Sequence, residues 1–438
     1  MNILIICYCY PPDLGPRAFR WSAIAEYWAA QGHQVHVISG GSFGALSEEA
    51  LNGVHIHRVG GVISENLRGL LKKETLQSAD EGAEASVKES SGRSKLSGLG
   101  SIIKAIHDLT WKNIYWPESN CWWFFPARAK ALKLVAEIPF DAVISTSTPY
   151  TGHLVGKAVK KTYLDVPWIV DIGDPFSFGQ PPWNNTGLYK DLNRRSEAKV
   201  LQLADSISVT VASCKKAYGE LFPGIGDKIT IIPPLFSGAI SSHDDKHVNK
   251  KIRRLVFTGS LYKEIRNPAY LLSVLSGVFM MSPETEAHFY GRINDCADLF
   301  EPYLRNYPKN VFVHGLVSRE IAADAMEQAD VLINIANRTR HQLPSKLVDY
   351  MASGKPILNM VSIENDNSLS FLQSYPNVVT FMEGSDSGTK DNLEIIYEFI
   401  ANPKTVSQHT IERLLEPFQV PAVEAQYRKL FIEKNSSK

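Results

Sequence analysis

The chain has 438 residues, which is too long for a single hydrophobic core and predicts two domains. Hydrophobic residues make up 44% of it and charged residues 21%, a composition typical of a globular protein. Lys plus Arg and Asp plus Glu number 46 each, and this balance argues against a general nucleic-acid-binding surface.

The N-terminus and the cysteines both indicate a cytoplasmic protein. The apolar run NILIICY (2–8) has no basic region or cleavage site and is too short to span a bilayer, so it predicts a first buried strand. Apart from a Cys-x-Cys inside an apolar run, Cys7 and Cys9, the five cysteines show no metal-ligand spacing and are expected to be reduced thiols, most of them buried.

Short apolar runs alternate with helical patterns in both halves of the chain. In the first half, strands are predicted at 2–8, 34–39, 53–59, 141–147, 167–172 and 206–212, and helices at 19–32, 151–161 and 190–203. In the second half, strands are predicted at 253–260, 287–291, 311–315, 330–336 and 355–360. This order predicts an α/β fold with two doubly wound parallel sheets.

The domain bounds follow from breaks in this pattern. A Pro-Pro pair and a polar stretch at 231–251 separate a first domain, 1–236, from a second domain, 251–415. The last segment, 416–438, contains an amphipathic helix predicted at 421–434. Within the first domain, the polar segment 72–95 has almost no large apolar residues and is predicted to be a mobile loop.

Residues 96–125 combine a helical apolar face with a cluster of aromatic residues. The face consists of Leu99, Ile102, Ile103, Ile106 and Leu109, and the aromatics extend from Trp111 to Phe125. One interpretation is packing in the core or a lid. The other is peripheral contact with a membrane or with a lipid-linked substrate.

The stretch HQLPSKLVDYMASGKPIL (341–358) carries the main functional signal. Leu343, Pro344, Ser345 and Lys346 predict a helix start whose amides, with the lysine charge, would bind phosphate. Asp349 follows one turn later, where its carboxylate could accept both hydroxyls of a ribose. The alternative is an ordinary capped helix, and this stretch alone does not decide between the two.

Other residues of the second half follow predicted strands. Gly259, Gly291, Gly315 and the loop 337–346 all lie at carboxyl ends, where open α/β sheets bind their ligands. Arg266 could pair with a pyrophosphate through two parallel hydrogen bonds. We therefore expect these loops to converge on one rim of the sheet.

The first half has corresponding turns. The stretch YPPDLGPRAFRW (10–21) follows the first strand and contains Gly15, Arg17 and Arg20. The stretch WIVDIGDPFS (168–177) contains Asp171 and Asp174. Asp174 precedes a proline, so it is either a turn residue or a group that reaches a sugar hydroxyl.

These stretches, together with VTVAS, HFYG, VHGLVSRE and ADVLINIA, resemble the family 4 glycosyltransferases of the GT-B fold. This group builds bacterial capsule, exopolysaccharide and O-antigen chains. The resemblance covers most of both domains and is weak over about 60–133. It implies two Rossmann-like domains facing a cleft, with a C-terminal helix that crosses back to the first domain.

The resemblance also implies a reaction. A sugar would move, with retention of configuration, from a UDP- or GDP-sugar to a saccharide or lipid-linked saccharide, without a metal or other cofactor. The donor would lie in the second domain and the acceptor in the first. The chain would be cytoplasmic, either free or peripheral on the inner face of the plasma membrane.

Residue roles carry over by position. Asp349 matches the ribose-binding acid of the family, and Arg266 matches its basic phosphate residue. Lys346, at the helix start, would stabilise the charge on the leaving diphosphate together with Arg266. Base contacts are expected near Gly315 and Leu316, and a donor contact at the amide of Gly15. Arg17, Arg20 and Asp171 are assigned to the acceptor.

Two positions depart from the family pattern. His341 stands where the family has the first of two glutamates, and Gly173 stands where many relatives have a histidine. The catalytic candidates are therefore Asp174, Arg266, Lys346 and His341. Two alternatives stay open, a nucleotide-sugar 2-epimerase of related fold and a non-catalytic nucleotide-sugar-binding protein, and turnover of a donor separates the second of these from a transferase.

Overall fold

The computed structural model describes residues 1–13, 15–42, 44–60, 115–179, 186–238, 240, 252–384 and 390–435. The chain divides into two compact units. Unit 1 contains Met1–Val209, Tyr218–Ile231 and Glu424–Lys438, and unit 2 contains Thr210–Ala217 and Ile232–Val423. In the part of the chain that is described, no helix has the length and apolar character needed to cross a membrane.

Unit 1 is built on an eight-stranded sheet. Its strands are β1 Asn2–Ile6, β2 Gln34–Gly40, β3 Glu48–Leu51, β4 Val54–Val59, β5 Ala142–Thr146, β6 Trp168–Asp171, β7 Ser206–Val209 and β8 Ile229–Ile231. Their order across the sheet is β3-β4-β2-β1-β5-β6-β7-β8. All neighbours are parallel except β3, which forms an antiparallel pair with β4. The central strands are buried on both faces, as expected for a sheet between two helical layers.

Helices cover this sheet. They are α1 Pro16–Ala30, α2 Phe124–Glu137, α3 Thr151–Thr162, α4 Thr186–Leu203 and α5 Ala212–Leu221, the last of which is divided between the two units. Proline in the first turn of α1 loses nothing, because the amide there has no intrahelical partner. Trp21, Ile24 and Trp28 recur at helical spacing and are fully buried, so they fix the inward face of α1.

Unit 2 is built on a six-stranded, fully parallel sheet. Its strands are β9 Arg253–Thr258, β10 Thr285–Tyr290, β11 Val311–Gly315, β12 Val331–Ile335, β13 Ile357–Val361 and β14 Val378–Met382. Its helices are α6 Ala269–Met281, α7 Ala297–Asn306, α8 Arg319–Gln328, α9 Lys346–Ala352, α10 Asn367–Leu372, α11 Lys390–Ala401 and α12 Gln408–Leu415.

The strand order of unit 2 is β11-β10-β9-β12-β13-β14. Counted within the unit, this is the order 3-2-1-4-5-6 of dinucleotide-binding folds. The order reverses between β9 and β12, so the loops that follow these two strands diverge and leave a crevice. In open α/β sheets, ligands bind in such a crevice.

The last helix, α13 Val420–Asn435, packs on unit 1 from Glu424 onward. The Trp28 indole donates to the Glu424 carboxylate at 3.0 Å, and the Tyr427 hydroxyl donates to Asp171 at 2.8 Å. Phe431 packs against the Trp28 ring with centroids 5.7 Å apart. The C-terminal helix thus completes the core of the first unit.

The sequence predicts the α/β class and two Rossmann-like units correctly, but one strand is shorter than predicted and three strands were not predicted. The strand predicted at 206–212 ends at Val209, because α5 already begins at Ala212. Strands β3 and β8 were missed, since they are short and lack a strong apolar run. Strand β14 was also missed, although its sequence, VVTFM, is apolar and typical of a strand. The predicted loop 72–95, the apolar face 96–109 and Trp111 lie outside the described residues.

Candidate functional site

Three glycines stand side by side at the carboxyl ends of β9, β10 and β11. Gly259, Gly291 and Gly315 have φ angles of 147°, 125° and 71°, values that side chains rarely allow. A Cβ atom on Gly291 would lie 1.9 Å from the carbonyl oxygen of Gly259, and the Gly291 amide donates to the Gly315 carbonyl at 2.7 Å. The predicted convergence of these loops on one rim is therefore present.

Arg266 lies at the crevice between β9 and β12. Its Nε and Nη2 atoms both donate to the side-chain oxygen of Asn337, at 3.1 and 2.8 Å, and Asn337 follows β12. Its Nη1 atom faces Gly259, where an added Cβ would lie 3.1 Å away. In the described residues no carboxylate forms an ion pair with this guanidinium, and burial lowers its pKa. Arg266 is thus held by a neutral amide, without a carboxylate in direct contact, at the point where the topology predicts a ligand.

The loop after β12 is held in place by hydrogen bonds with other residues of unit 2. The side-chain amide of Asn367 donates to the carbonyl oxygens of Arg340 and Gln342, at 2.9 and 3.0 Å. Arg338 donates to both carboxylate oxygens of Glu383, at 2.9 and 2.8 Å. These contacts hold the backbone that leads into α9.

Helix α9 begins at Lys346, later than the sequence predicts. Leu343 and Pro344 lie in the loop before it, and Ser345 is the N-cap residue but makes no side-chain cap hydrogen bond. The Pro344 carbonyl accepts from the amide of Leu347 at 3.1 Å. Helix α9 has only seven residues, so its dipole and free amides are a weak argument for a phosphate site at its N-terminus. The side chains around it are the stronger argument.

Lys346 and Asp349 are both partly buried on α9. Burial lowers the pKa of Lys346, and Arg266 and Arg319 lower it further while Asp349 opposes them. Burial raises the pKa of Asp349, against the opposing effect of Lys346 and Arg319. Within the described ranges, neither side chain has a hydrogen bond or an ion pair at contact distance. Their polar groups are available to a ligand.

Two further predicted residues lie near this rim. Leu316 is 66% exposed directly after Gly315, as a contact to a flat ligand group would require. His341 is half-buried in the loop before α9, and burial lowers its pKa. A neutral imidazole at this position can accept or donate one hydrogen bond but cannot supply a carboxylate charge.

In unit 1, Asp171 is buried at the end of β6 and its oxygens are already used. Oδ2 accepts from Arg17 at 2.9 Å and from the Trp21 indole at 3.1 Å, and Oδ1 accepts from Ser208 at 2.7 Å and from Tyr427 at 2.8 Å. Burial alone would raise the pKa of Asp171, but the nearby guanidinium groups and these donors hold it below its usual value.

The structure therefore contradicts the acceptor contact predicted for Asp171 and Arg20. Asp171 is 1% exposed and Arg20 is 6% exposed. Nη2 of Arg20 donates to the Tyr427 hydroxyl at 3.0 Å, and its guanidinium lies over the Tyr427 ring. Both side chains stabilise the packing of α1 and α13 instead of facing a ligand.

The remaining candidates of unit 1 lie near the ends of β1 and β6. Gly15 is the N-cap residue of α1 and has open space around its α-carbon. Asp174 is partly buried and lines a small cavity with Ser147 and His153. Arg17 is 20% exposed and lies against Gly173.

Sequence reasoning missed four residues that shape these sites. Asn337 and Asn367 position Arg266 and the β12 loop, Tyr427 positions Asp171, and Arg319 acts electrostatically on Lys346 and Asp349. Asn337 directly follows a predicted strand, which is the one signal that could have found it. Across the described residues, no group of three or more His, Cys, Asp or Glu side chains is arranged to hold a metal ion.

Comparison with known proteins identifies the fold. No protein-family model matches the sequence, and no curated protein matches it. Among solved structures, the chain resembles Anabaena HepE in complex with UDP-glucose, at 12% identity over 100% of both chains with a TM-score of 0.58. It also resembles the lipopolysaccharide outer core galactosyltransferase WaaB, at 12% identity over 99% of this chain and 100% of that one with a TM-score of 0.57.

A plant structure has the same architecture. The catalytic domain of Arabidopsis starch synthase IV, bound to ADP and acarbose, matches at 10% identity over 100% of this chain and 99% of that one with a TM-score of 0.59. The chain therefore has the GT-B fold, with two Rossmann-like domains. Identities this low establish the fold, and function has to be argued from the site.

Proposed function

We propose that the protein is a retaining glycosyltransferase of family 4. It would move a sugar from a nucleotide-sugar, a UDP- or GDP-sugar, to a saccharide acceptor that is lipid-linked, in the synthesis of a cell-surface polysaccharide. The GT-B fold supports this proposal, since its solved neighbours include a galactosyltransferase and a protein in complex with UDP-glucose.

The pair of cations at the crevice of unit 2 carries the proposal. The side chains of Arg266 and Lys346 are both partly or largely buried, and Arg266 lies near enough to Lys346 to lower its pKa. Neither cation has an ion-pair partner among the described residues. Holding two like charges close together is unfavourable unless an anion completes the site. Asp349 acts favourably on Lys346 but forms no ion pair with it, and a diphosphate at the switch point would supply further negative charge.

The other donor contacts follow from this placement. The carboxylate of Asp349, three residues beyond Lys346, would accept the ribose hydroxyls. The backbone at Gly315 and the exposed side chain of Leu316 would contact the base. The loop of Leu343, Pro344 and Ser345 would border the phosphates, and His341 would face the transferred sugar.

The chemistry needs charge stabilisation more than covalent help. As the sugar leaves the donor, negative charge builds up on the diphosphate oxygens, and Arg266 and Lys346 would stabilise it without moving. The leaving phosphate would deprotonate the acceptor hydroxyl on the same face of the sugar, which gives retention. Acceptor contacts are assigned to unit 1, with Asp174 as the candidate for a sugar hydroxyl.

A membrane contact would suit a lipid-linked acceptor. Trp122, in the short turn before α2, and Phe125, in the first turn of α2, are 66% and 63% exposed and their ring centroids lie 6.2 Å apart. Arg128 is exposed one turn later. Exposed aromatic side chains beside a cation favour the interfacial region of a bilayer. Vesicle sedimentation tests this: Trp122→Ala should weaken binding to anionic vesicles, whereas Leu164→Ala, at an equally exposed apolar side chain, should not.

Donor binding is the decisive experiment. Thermal shift and calorimetry with UDP-, GDP-, dTDP- and ADP-sugars should identify one nucleotide that binds the full chain. Asp349→Ala should weaken that binding at least about tenfold, because it removes hydrogen bonds to a charged group. Asp324→Ala, at an exposed acid of the same unit, is the matched control.

The outcomes separate the proposed functions. The transferase is supported if nucleotide binding depends on Asp349 and if NMR of the product shows that the sugar is transferred with retained configuration. Binding without turnover would indicate a binding protein, and an epimerised nucleotide-sugar would indicate an epimerase. If no nucleotide binds, or if Asp349→Ala binds as well as wild type, the assigned donor site is wrong.

A further inference from the structure

A guanidinium group occupies the side-chain space of Gly173 in unit 1. A Cβ atom added to Gly173 would lie 1.8 Å from Nη2 of Arg17 and 2.3 Å from its Cζ. The φ angle of Gly173 is not in the left-handed region, so steric contact, rather than backbone conformation, requires glycine here. Two residues that are far apart in sequence, one in α1 and one after β6, are matched to each other.

The Arg17 side chain is held firmly in this position. Its Nη1 atom donates to Oδ2 of Asp171 at 2.9 Å, and Asp171 is fixed by Trp21, Ser208 and Tyr427. In the described part of the chain, Nη2 of Arg17 has no hydrogen-bond partner. The Arg17 side chain remains 20% exposed, so a guanidinium that is fixed in position is still partly open to solvent.

The charge of Arg17 is only partly balanced. The guanidinium groups of Arg17 and Arg20 both lower the pKa of Asp171, so one negative charge is shared between two positive ones. An excess of positive charge around a fixed donor favours an oxyanion. A guanidinium also presents its nitrogens in a plane that matches the two oxygens of a carboxylate or phosphate.

The position is that of a ligand site in this type of fold. Gly173 follows β6, and its amide donates at 3.3 Å to the hydroxyl of Ser147, which follows β5. Ligands of open α/β sheets bind at the carboxyl ends of the strands. Arg17 is therefore at the ligand-binding edge of unit 1.

We propose that Arg17, seated against Gly173 and anchored by Asp171, binds an oxyanion of the acceptor, so that the acceptor substrate is acidic. The proposal rests on the proposed transferase function and adds the chemical class of its acceptor. The oxyanion is either the carboxylate of an acidic sugar or a phosphate of the acceptor.

Calorimetry on the full chain tests this with three probes: methyl β-D-glucuronide, inorganic phosphate and the neutral methyl β-D-glucoside. Arg17→Gln keeps a donor for Asp171 but removes the charge. Gly173→Ala keeps the charge but displaces the guanidinium. Arg195→Ala removes a charge from an exposed position of the same unit and is the control. Arg266→Gln is made alone and combined with each of these variants, and phosphate affinities are compared in that background, because phosphate could also bind at the crevice of unit 2.

We expect one anionic probe to bind wild type, Arg195→Ala and Arg266→Gln with the same affinity. Arg17→Gln and Gly173→Ala should bind it at least about tenfold more weakly. Preference for the glucuronide would identify an acidic sugar, and preference for phosphate would identify a phosphorylated acceptor.

Three results would overturn the proposal. They are binding of the neutral glucoside as strongly as the anions, no anion binding in wild type, or anion binding that Arg17→Gln and Gly173→Ala leave intact. Circular dichroism of both variants confirms that they are folded. Nucleotide binding is measured on the same samples, so that failure of the donor site in unit 2 is seen separately from failure of the anion site.

Discussion

Glu118 should make unit 1 less stable as the pH rises toward neutrality. Its carboxylate is 8% exposed and accepts from the amides of Tyr150 and Thr151, at 3.1 and 3.0 Å, and from the Thr151 hydroxyl. These donors lie at the start of α3. Burial outweighs them and raises the pKa of Glu118 from 4.5 to about 7.

The sign and size of the effect follow from this difference. Because the folded-state pKa is above the unfolded value, the folded protein retains a proton that the unfolded chain releases between pH 4.5 and about 7. The contribution to stability is complete below pH 4.5 and is lost as the pH rises through about 7. At about 1.4 kcal/mol for each pH unit, the loss is about 3 kcal/mol.

Urea denaturation of wild type and Glu118→Gln, at about pH 5 and about pH 8, measures this loss. Glutamine cannot titrate, so the variant should gain about 3 kcal/mol relative to wild type between the two conditions. Glu137→Gln, at an exposed acid of α2, should show no such change. A difference between Glu118→Gln and wild type that stays constant with pH would refute the reasoning.

Three further predictions concern the rim of unit 2 and the core of unit 1. Arg266→Lys keeps the charge but loses the planar guanidinium that donates two hydrogen bonds to Asn337. Calorimetry should therefore show at least about tenfold weaker nucleotide binding, and unchanged affinity would contradict this. Gly291→Ala should fail to fold or should unfold at a much lower temperature, since its Cβ would lie 1.9 Å from a carbonyl oxygen. Gly315→Ala has open space around its Cβ, so thermal unfolding should show a loss of only about 1–2 kcal/mol in the free energy of unfolding. Tyr427→Phe removes a donor from a buried carboxylate and should lower the unfolding free energy by about 1–3 kcal/mol in urea, and no loss would mean that the hydroxyl is dispensable.

Much of the architecture could be predicted because the buried parallel strands are continuous apolar runs. The strands β9 to β13 and the three rim glycines were located from such runs and from the glycines that end them. The short strands β3 and β8 could not, because pairing with a neighbour, rather than their own composition, makes them strands. Strand β14 has the composition of a strand, so its run VVTFM was a signal that could have located it.

The positions of some candidate residues could be predicted from local motifs. Arg266, Lys346 and Asp349 follow strands or begin helices, so their positions on the rim could be inferred. Asp171 also ends a strand, yet it is buried, since its donors come from α1, β7 and α13. Contacts of that kind depend on tertiary packing, which no short sequence pattern reports.

The contact between Arg20 and Tyr427 joins side chains 407 positions apart in the chain. During synthesis, which proceeds from the N-terminus, the first unit must wait for almost all of unit 2 before it receives its last helix. Until then, the buried carboxylate of Asp171 lacks one of its donors, and the α1 surface that α13 covers is exposed. A ribosome-bound chain stopped before Glu424 should thus hold an incomplete first domain, so chaperone binding and protease sensitivity should fall only when the final helix is released.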